Sequence, residues 1–334
     1  MEQDYAWDKR FQDSAGRVSG GFSRSRFLRK HKFLTCFSNQ FPIPGPSPKQ
    51  GTTIKSMPPA VLEHQPVVTE GAVTSADGTR ISYRRLGSGP ALVFVHGSIS
   101  THTDWMRVAK LLAPRYTCYS MDRRGRAHSG IGRSPYCLDR EYEDIAAVRA
   151  QAERSQAGPL AALIGHSYGA ICALGAALRN PVPKLVVYEP PFPVGGPIAG
   201  EHLEPYRQAI AAHDPDAALE IGFTHISRVP AQRIAEVRAT KAWPRICTLA
   251  PSWIRELEAM DALDPTVGRY AAIACPVLML VGSLSPEHPL RDASRALAEV
   301  LPHARVETIE GQGHVAMRNA PERVAKLIGS FLKI

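Results

Sequence analysis

The sequence predicts an α/β fold built on a mostly parallel central sheet that is flanked by helices. From residue 91 onward, short apolar segments of the strand type alternate with segments of helical period. One pentapeptide, Gly165-His166-Ser167-Tyr168-Gly169, separates an apolar strand-like run from a helix-like stretch. Strands that alternate with helices are joined by crossover connections, so the strands run parallel and helices cover both faces of the sheet.

The first strands are predicted between residues 67 and 121. Alternating apolar and polar residues, with Asp77-Gly78 between two such runs, predict a hairpin whose second strand covers residues 79–85. A continuous apolar run over 91–95 predicts a buried strand. The next strand, over 116–121, ends at a polar, glycine-bearing loop. These strands form the first half of the predicted sheet.

The second half of the sheet is interrupted by a helical insertion. The predicted elements are a helix over 138–155, a strand over 160–164, a helix over 170–179, strands over 184–188 and 276–281, a helix over 291–300, a strand over 304–309 and a helix over 321–332. Between residues 191 and 269 the strand pattern gives way to amphipathic helical stretches. An insertion of this kind between two strands is most simply a lid over the site.

These patterns divide the 334 residues into three parts. Residues 1–60 are rich in Ser, Gly, Arg and Pro without a sustained period, which predicts a disordered N-terminal extension. Residues 61–190 and 270–334 form the predicted α/β core, and residues 191–269 form the predicted helical lid. A targeting peptide and translation that begins at Met57 remain alternatives for the extension, although acidic residues near the N-terminus count against targeting.

Composition argues against several functional classes. The formal charge is +9, of which +6 lies in residues 1–56, so the folded body is nearly neutral and nucleic acid is not its expected partner. The sequence contains no apolar run of about 18 residues and no strongly basic amphipathic helix, so stable membrane insertion is not expected. The six cysteines form no CxxC pair and lie in mostly apolar contexts, which predicts reduced thiols in a cytoplasmic protein.

The pentapeptide at 165–169 has the pattern of a nucleophile elbow, a strand-to-helix turn that carries a nucleophile, and the helix over 170–179 is the elbow helix. A serine in a strand-to-helix turn is forced outward, and glycines two residues before and after it allow the backbone to make that turn. The turn also leaves the amide of Tyr168 at a helix N-terminus, where the helix dipole favours developing negative charge. A single turn therefore supplies a nucleophile, Ser167, and a donor for an oxyanion.

Four motifs in a fixed order give the chain a family resemblance. They are His96-Gly97 after the third strand, the Asp122-x-Arg-Gly loop, the pentapeptide, and Gly313-His314 after the last strand. With these motifs the chain resembles the lid-bearing α/β-hydrolases over roughly residues 67–334. Four ordered motifs are far more specific than one.

The resemblance implies roles for individual residues. Ser167 would be the nucleophile and His314 the general base. The backbone amides of Ser98 and Tyr168 would form the oxyanion hole. Each of these residues follows the C-terminal end of a strand or opens the helix after it, at the edge where parallel α/β sheets place their sites.

The triad acid departs from the commonest pattern of the resembling family. Many relatives carry an aspartate after the strand that corresponds to 277–281, but Ser285 holds that place here and cannot stabilise an imidazolium with a negative charge. Some relatives place the acid after the strand that follows the elbow helix, where this chain has Glu189. Glu189 is therefore the predicted acid, and Glu287 and Asp292 remain alternatives.

Several other residues have both a structural and a functional interpretation. We predict that His96 braces its loop through hydrogen bonds and that His166 only fills a variable position of the elbow. The charged cluster over 122–126 predicts a structural brace, with an anionic-substrate site as the alternative. Trp243 and Trp253 are assigned to the lid core, with the lining of an acyl or leaving-group pocket as the alternative.

The predicted function is hydrolysis of a carboxylic ester or lactone of a small molecule through an acyl-enzyme. A serine nucleophile argues against haloalkane dehalogenase and epoxide hydrolase activity, because the resembling families use aspartate there. A carbon–carbon bond hydrolase, an amidase and a catalytically idle receptor remain alternatives. The chemistry requires no metal or organic cofactor, and the sequence does not determine the oligomeric state or the acyl-chain preference.

Overall fold

The computed structural model describes residues 66–133, 135–155 and 158–333. The predicted extension over 1–60, including Met57, lies outside the described residues. The strands of the sheet are Thr69–Thr74 (β1), Arg80–Leu86 (β2), Ala91–Val95 (β3), Thr117–Met121 (β4), Leu160–His166 (β5), Leu185–Tyr188 (β6), Val277–Gly282 (β7) and Ala304–Ile309 (β8). Each predicted strand is therefore present, with shifts of one or two residues at the ends.

The helices include every one that the sequence predicts in the core. They are Met106–Leu112 (α1), Leu138–Arg154 (α2), Tyr168–Arg179 (α3), Leu203–Ala211 (α4), Pro215–Ile221 (α5), Ala231–Arg238 (α6), Trp243–Cys247 (α7), Trp253–Asp261 (α8), Asp292–Val300 (α9), Ala316–Asn319 (α10) and Pro321–Leu332 (α11). The sequence patterns do not indicate α1, α7 or α10. These helices have seven, five and four residues, too few for a helical period to stand out. No helix in the described ranges combines the length and the apolar content needed to cross a bilayer.

The sheet has the strand order β1-β2-β4-β3-β5-β6-β7-β8. Strands β3 to β8 run parallel, and the β1–β2 hairpin joins the β4 side with β2 antiparallel to β4. The chain continues from β3 to β4 on one side and then crosses to β5 on the other side of β3. The strand order therefore reverses at β3. In open parallel sheets, ligands bind at the carboxyl ends of the strands next to such a reversal.

Apolar side chains on both faces of the sheet form two buried clusters. Side chains alternate along a strand, so Val93 packs on one face with α2 and α3, whereas Leu92 and Phe94 pack on the other with α1 and α11. Burial of β3, β5, β6 and β7 on both faces explains why these central strands appear in the sequence as nearly continuous apolar runs. This packing makes the sheet a rigid support for the loops at its edge.

The segment between β6 and β7 is helical, with α4 to α8 in place of strands. A short π-helical turn, Gly222–Ile226, extends α5. Asp261 at the end of α8 accepts hydrogen bonds from the amides of Ile198, Ala199 and Gly200 at 2.6, 3.0 and 2.9 Å. The carboxylate thus ties the end of the helical segment to its beginning.

Candidate active site

Ser167 lies at a sharp turn between β5 and α3. Its backbone has φ 54° and ψ −128°, and for a residue other than glycine such a conformation costs on the order of 1–3 kcal/mol. Its amide donates a hydrogen bond to the carbonyl oxygen of Tyr188 at 2.8 Å. A β carbon at Gly165 would lie 2.5 Å from the carbonyl oxygen of Gly169, and one at Gly169 would collide with the backbone after β3. Glycine at both positions therefore permits the turn.

The loop after β3 runs directly against this turn. A β carbon at Gly97 would lie 2.8 Å from Cβ of Ser167, so the loop approaches the serine more closely than a side chain allows. The amide of Ser98 follows in this loop. Tyr168 is the first residue of α3, so its amide is one of the first four N–H groups, which have no partner within a helix. Both amides belong to the segments that adjoin Ser167.

His314 and Glu189 meet at the same edge of the sheet. The Nδ1 atom of His314 lies 2.7 Å from Oε2 of Glu189, and the other carboxylate oxygen accepts the amide of Gly282 at 2.6 Å. Glu189 is fully buried, with φ 46° directly after β6. A carboxylate acceptor requires the proton on Nδ1, so Nε2 is the basic nitrogen of the neutral ring. Within the described residues no hydrogen bond joins the Ser167 hydroxyl to this ring, and such bonds often tighten only when substrate is bound.

The alternative acids lie in other pairs. The Glu287 side chain is 55% exposed and forms an ion pair with Arg295. Asp292 accepts a hydrogen bond from His288 Nδ1 at 2.7 Å. Ser285, at the position where many relatives carry the acid, is buried with a hydroxyl that has no partner among the described residues. Of the three candidate carboxylates, Glu189 is therefore the one that contacts His314.

Comparison with known proteins identifies the family of the chain. The sequence profile of the Alpha/beta hydrolase family matches residues 92–327, which is more than two thirds of the chain. The chain belongs to the alpha/beta hydrolase family. The predicted fold class is therefore confirmed as an eight-stranded, mostly parallel sheet flanked by helices.

Individual proteins are similar to this chain over most of its length. The crystal structure of an alpha/beta hydrolase from Sphaerobacter thermophilus DSM 20745 has 32% sequence identity and a TM-score of 0.68, and the match covers 78% of this chain and 99% of that one. A non-heme chloroperoxidase from Streptomyces lividans is 26% identical, over 79% of this chain and 99% of its own length. A pimeloyl-[acyl-carrier protein] methyl ester esterase from Xanthomonas campestris is 26% identical, over 74% and 96%. These relatives support an enzymatic function.

His96 braces two loops at the carboxyl edge of the sheet, as predicted. Its Nδ1 atom donates to the carbonyl oxygen of Gly97 at 2.8 Å, and its Nε2 atom accepts the amide of Arg123 at 3.1 Å. Burial, together with the nearby Arg123 charge, lowers the pKa of His96 to about 3. The ring is therefore neutral at physiological pH and joins the loop after β3 to the loop after β4.

The arginines after β4 are buried, which confirms the structural interpretation of the cluster. Arg123 donates to Glu141 at 2.9 and 3.2 Å and to Glu256 at 2.5 Å, and Arg126 donates to Glu256 at 2.6 Å. Arg124 forms a two-pronged pair with Asp144 at 2.7 and 2.8 Å. Burial alone would raise the pKa of Glu141, but the Arg123 guanidinium holds it at about 2. These charges neutralise one another inside the protein, and exposed guanidinium groups for an anionic substrate are not available here.

Both tryptophans of the helical segment are buried within it. The Nε1 atom of Trp243 donates to Asp216 at 2.7 Å. Trp253 packs edge-on against Tyr206, with the ring centroids 5.6 Å apart. Their packing agrees with the predicted role in the core of the helical segment.

One prediction about the elbow is wrong. His166 does more than fill a variable position, because its Nε2 atom lies 2.7 Å from the carbonyl oxygen of His314 and the two rings are 4.4 Å apart. Tyr188, predicted only as the last residue of a strand, donates from its hydroxyl to the carbonyl oxygen of Gly313. The sequence carries a positional signal for these contacts, because His166 directly precedes Ser167 and Tyr188 directly precedes Glu189, each at the end of a strand.

Proposed function

We propose that this protein is a serine hydrolase that cleaves a carboxylic ester or lactone of a small molecule. The observation that carries the proposal is the hydrogen bond between His314 and the fully buried Glu189, at the sheet edge that also bears Ser167. Serine hydroxyls are poor nucleophiles at neutral pH. A reactive serine is therefore recognised by a nearby base whose orientation is fixed by an acid. The similarity to a methyl ester esterase supports an ester as the substrate class.

The reaction would proceed in two balanced steps. His314 Nε2 takes the hydroxyl proton of Ser167 as Oγ attacks the carbonyl carbon, and Glu189 stabilises the resulting imidazolium. The oxyanion would lie between the amides of Ser98 and Tyr168, and loss of one such donor typically costs about 3–4 kcal/mol of barrier. The imidazolium then gives its proton to the leaving alkoxide, which departs as an alcohol.

Water completes the second step. His314 removes a proton from a water molecule, the hydroxide adds to the acyl-enzyme, and the carboxylic acid leaves as the proton returns to Ser167 Oγ. In a lactone the alcohol and the acid belong to one molecule, so a single hydroxy acid is released. None of these reaction steps requires a metal or an organic cofactor.

The further aspects of the proposal follow from sequence and burial. We propose a small molecule as partner. We propose no nucleic acid partner because the folded body is nearly neutral, and no stable membrane insertion because the sequence contains no apolar run of about 18 residues. We propose residues 191–269 as a lid, because α4 to α8 lie between the strands that precede Glu189 and Ser285. A cytoplasmic location fits the described cysteines, all of which are free thiols.

Hydrolysis of p-nitrophenyl esters with short and medium acyl chains tests the proposal. Ser167→Ala should abolish turnover, and Glu189→Gln should lower kcat by about 10⁴-fold, the loss seen when a triad acid becomes an amide. Glu287→Gln is the matched control, because it neutralises an exposed glutamate and should leave kcat within about twofold. Turnover that survives Ser167→Ala would contradict the proposal.

Other substrates distinguish the alternatives. The same variants are assayed with anilides for amidase activity, with a vinylogous diketone for carbon–carbon cleavage, and for peroxide-dependent halogenation because one relative is a chloroperoxidase. A fluorophosphonate probe should label the wild type at Ser167 and leave Glu189→Gln largely unlabelled. A folded wild type that neither turns over any substrate nor reacts with the probe would favour a receptor function.

A further inference from the structure

The main chain around His314 is bonded on both sides to side chains from the centre of the sheet. The Tyr188 hydroxyl donates to the carbonyl oxygen of Gly313 and accepts the amide of Ala316 at 3.2 Å. The His166 ring donates from Nε2 to the carbonyl oxygen of His314 at 2.7 Å. Three backbone groups within four residues are therefore held by two side chains.

These two side chains are partners in the sheet. His166 ends β5 and Tyr188 ends β6, and the two residues are directly paired in the parallel register with ring centroids 5.2 Å apart. His166 immediately precedes Ser167, and Tyr188 immediately precedes Glu189. The residues before the proposed nucleophile and the proposed acid thus reach together to the backbone of the proposed base.

Hydrogen bonding determines the state of the His166 ring. A carbonyl acceptor requires a proton on Nε2, and the buried Nδ1 atom has no partner among the described residues. Burial lowers the pKa of His166 well below its ordinary value, and the adjacent His314 lowers it further. The ring is therefore a neutral donor and remains so when the neighbouring imidazole is protonated.

The loop that carries His314 needs such support. It contains Gly311 in a left-handed conformation at φ 70° and Gly313, and glycine restricts a backbone less than any other residue. The His314 side chain is 28% exposed, so surrounding atoms constrain it only in part. Misplacement of a reacting group by about 1 Å can lower a rate by about 100-fold.

We propose that His166 and Tyr188 are paired positioning residues that hold the backbone of His314 in alignment with Ser167 and Glu189. The inference rests on the proposed function, because it assigns His314 the role of base. Neither residue touches the reacting atoms. Their effect is to make the three strand ends that carry the triad behave as one rigid unit.

Matched substitutions at His166 test this role through turnover. His166→Gln retains an amide donor at about the position of Nε2, whereas His166→Met has a similar length and no donor. We expect His166→Met to lower kcat on the best p-nitrophenyl ester by about 10- to 100-fold with KM within about threefold. We expect His166→Gln to keep kcat within about threefold of the wild type.

Tyr188→Phe removes one oxygen atom and so tests the contacts of the Tyr188 hydroxyl with the backbone of Gly313 and Ala316. It should lower kcat at least about tenfold with little change in KM. Tyr206→Phe is the control, because Tyr206 is also fully buried and its hydroxyl donates to a carbonyl oxygen at 2.9 Å, but in the helical segment. If His166→Met does not fold, Tyr188→Phe alone decides the outcome.

A second measurement needs no substrate. The proton on Nδ1 of His314 should give a downfield NMR signal that His314→Ala removes, and the chemical shift of that signal reports the hydrogen bond to Glu189. In His166→Met or Tyr188→Phe we expect the signal to move upfield or to be lost through exchange with water, because a misaligned ring holds this hydrogen bond less well. In His166→Gln and Tyr206→Phe it should match the wild type.

The two measurements separate this inference from the proposed function. An inactive wild type would contradict the proposed function, and the NMR comparison would still decide whether the two residues position His314. An unchanged NMR signal in both His166→Met and Tyr188→Phe would overturn the inference. Equal losses of kcat in His166→Met and His166→Gln would also overturn it, because the donor would then be irrelevant.

Discussion

Replacement of Glu256 by glutamine should destabilise the protein far more than its position on an inserted helix suggests. Glu256 is fully buried and accepts hydrogen bonds from Arg123 at 2.5 Å and from Arg126 at 2.6 Å. Arg123 would keep its two bonds to Glu141 in the variant. Within the described residues Arg126 forms no second ion pair, so the substitution leaves its charge buried and unpaired.

The size of the effect follows from this unpaired charge. Removal of one partner from a buried ion pair typically costs about 3–5 kcal/mol. Glutamine has nearly the shape of glutamate and can still accept one hydrogen bond through its amide oxygen, so we expect about 3 kcal/mol. With a urea m-value of about 3 kcal/mol per molar, the unfolding midpoint should fall by roughly 1 M.

Urea unfolding followed by circular dichroism measures this shift. Glu258→Gln is the control on the same helix, because Glu258 is 47% exposed and pairs with Arg207 at the surface. Surface ion pairs contribute about 0–1 kcal/mol, so the control midpoint should move by less than about 0.3 M. Equal midpoints for Glu256→Gln and Glu258→Gln would refute the argument that the buried charges stabilise the attachment of α8.

Three further outcomes are expected. Gly97→Ala should lower kcat/KM at least about tenfold, because its β carbon would lie 2.8 Å from that of the proposed nucleophile, while Gly268→Ala, with open space around it, should have no effect. Ser285→Asp in the Glu189→Gln background should restore kcat at least about tenfold, because it returns a carboxylate to the place that many relatives use; no gain over Glu189→Gln would contradict this. The unfolding free energy should fall as the pH drops from about 6.5 toward 3, because unfolded His96 takes up a proton that the folded ring, with a pKa of about 3, does not. Each such group contributes up to about 1.4 kcal/mol per pH unit, and a folded His96→Gln variant whose stability has the same pH slope would count against it.

Local pattern alone was enough to predict the strands and most helices. The runs that became β3 and β5 are apolar because both faces of the sheet are covered, and that requirement appears in consecutive residues. The glycines around Ser167 were equally informative, because the turn needs them within five residues. Helices of one or two turns, such as α10, carry too few residues for a period and were missed.

Pairs that are distant in the chain depended on the tertiary structure. His314 and Glu189 lie 125 residues apart, and the sequence left Glu287 and Asp292 as competing acids until the fold brought one carboxylate to the ring. The clustered arginines after β4 had two interpretations for the same reason. Glu256, which neutralises two of them, lies 133 residues after Arg123.

The sequence by itself determined the alternation of strands and helices, the elbow and the order of the motifs, because these depend on neighbouring residues. Only the tertiary structure decided which carboxylate contacts His314, that the arginines are buried, and that His166 and Tyr188 hold its backbone. The physical reason is that a parallel sheet gathers strand ends from across the chain at one edge. Hydrogen bonds and charge pairs at that edge depend on distance in space, which residue order does not encode locally.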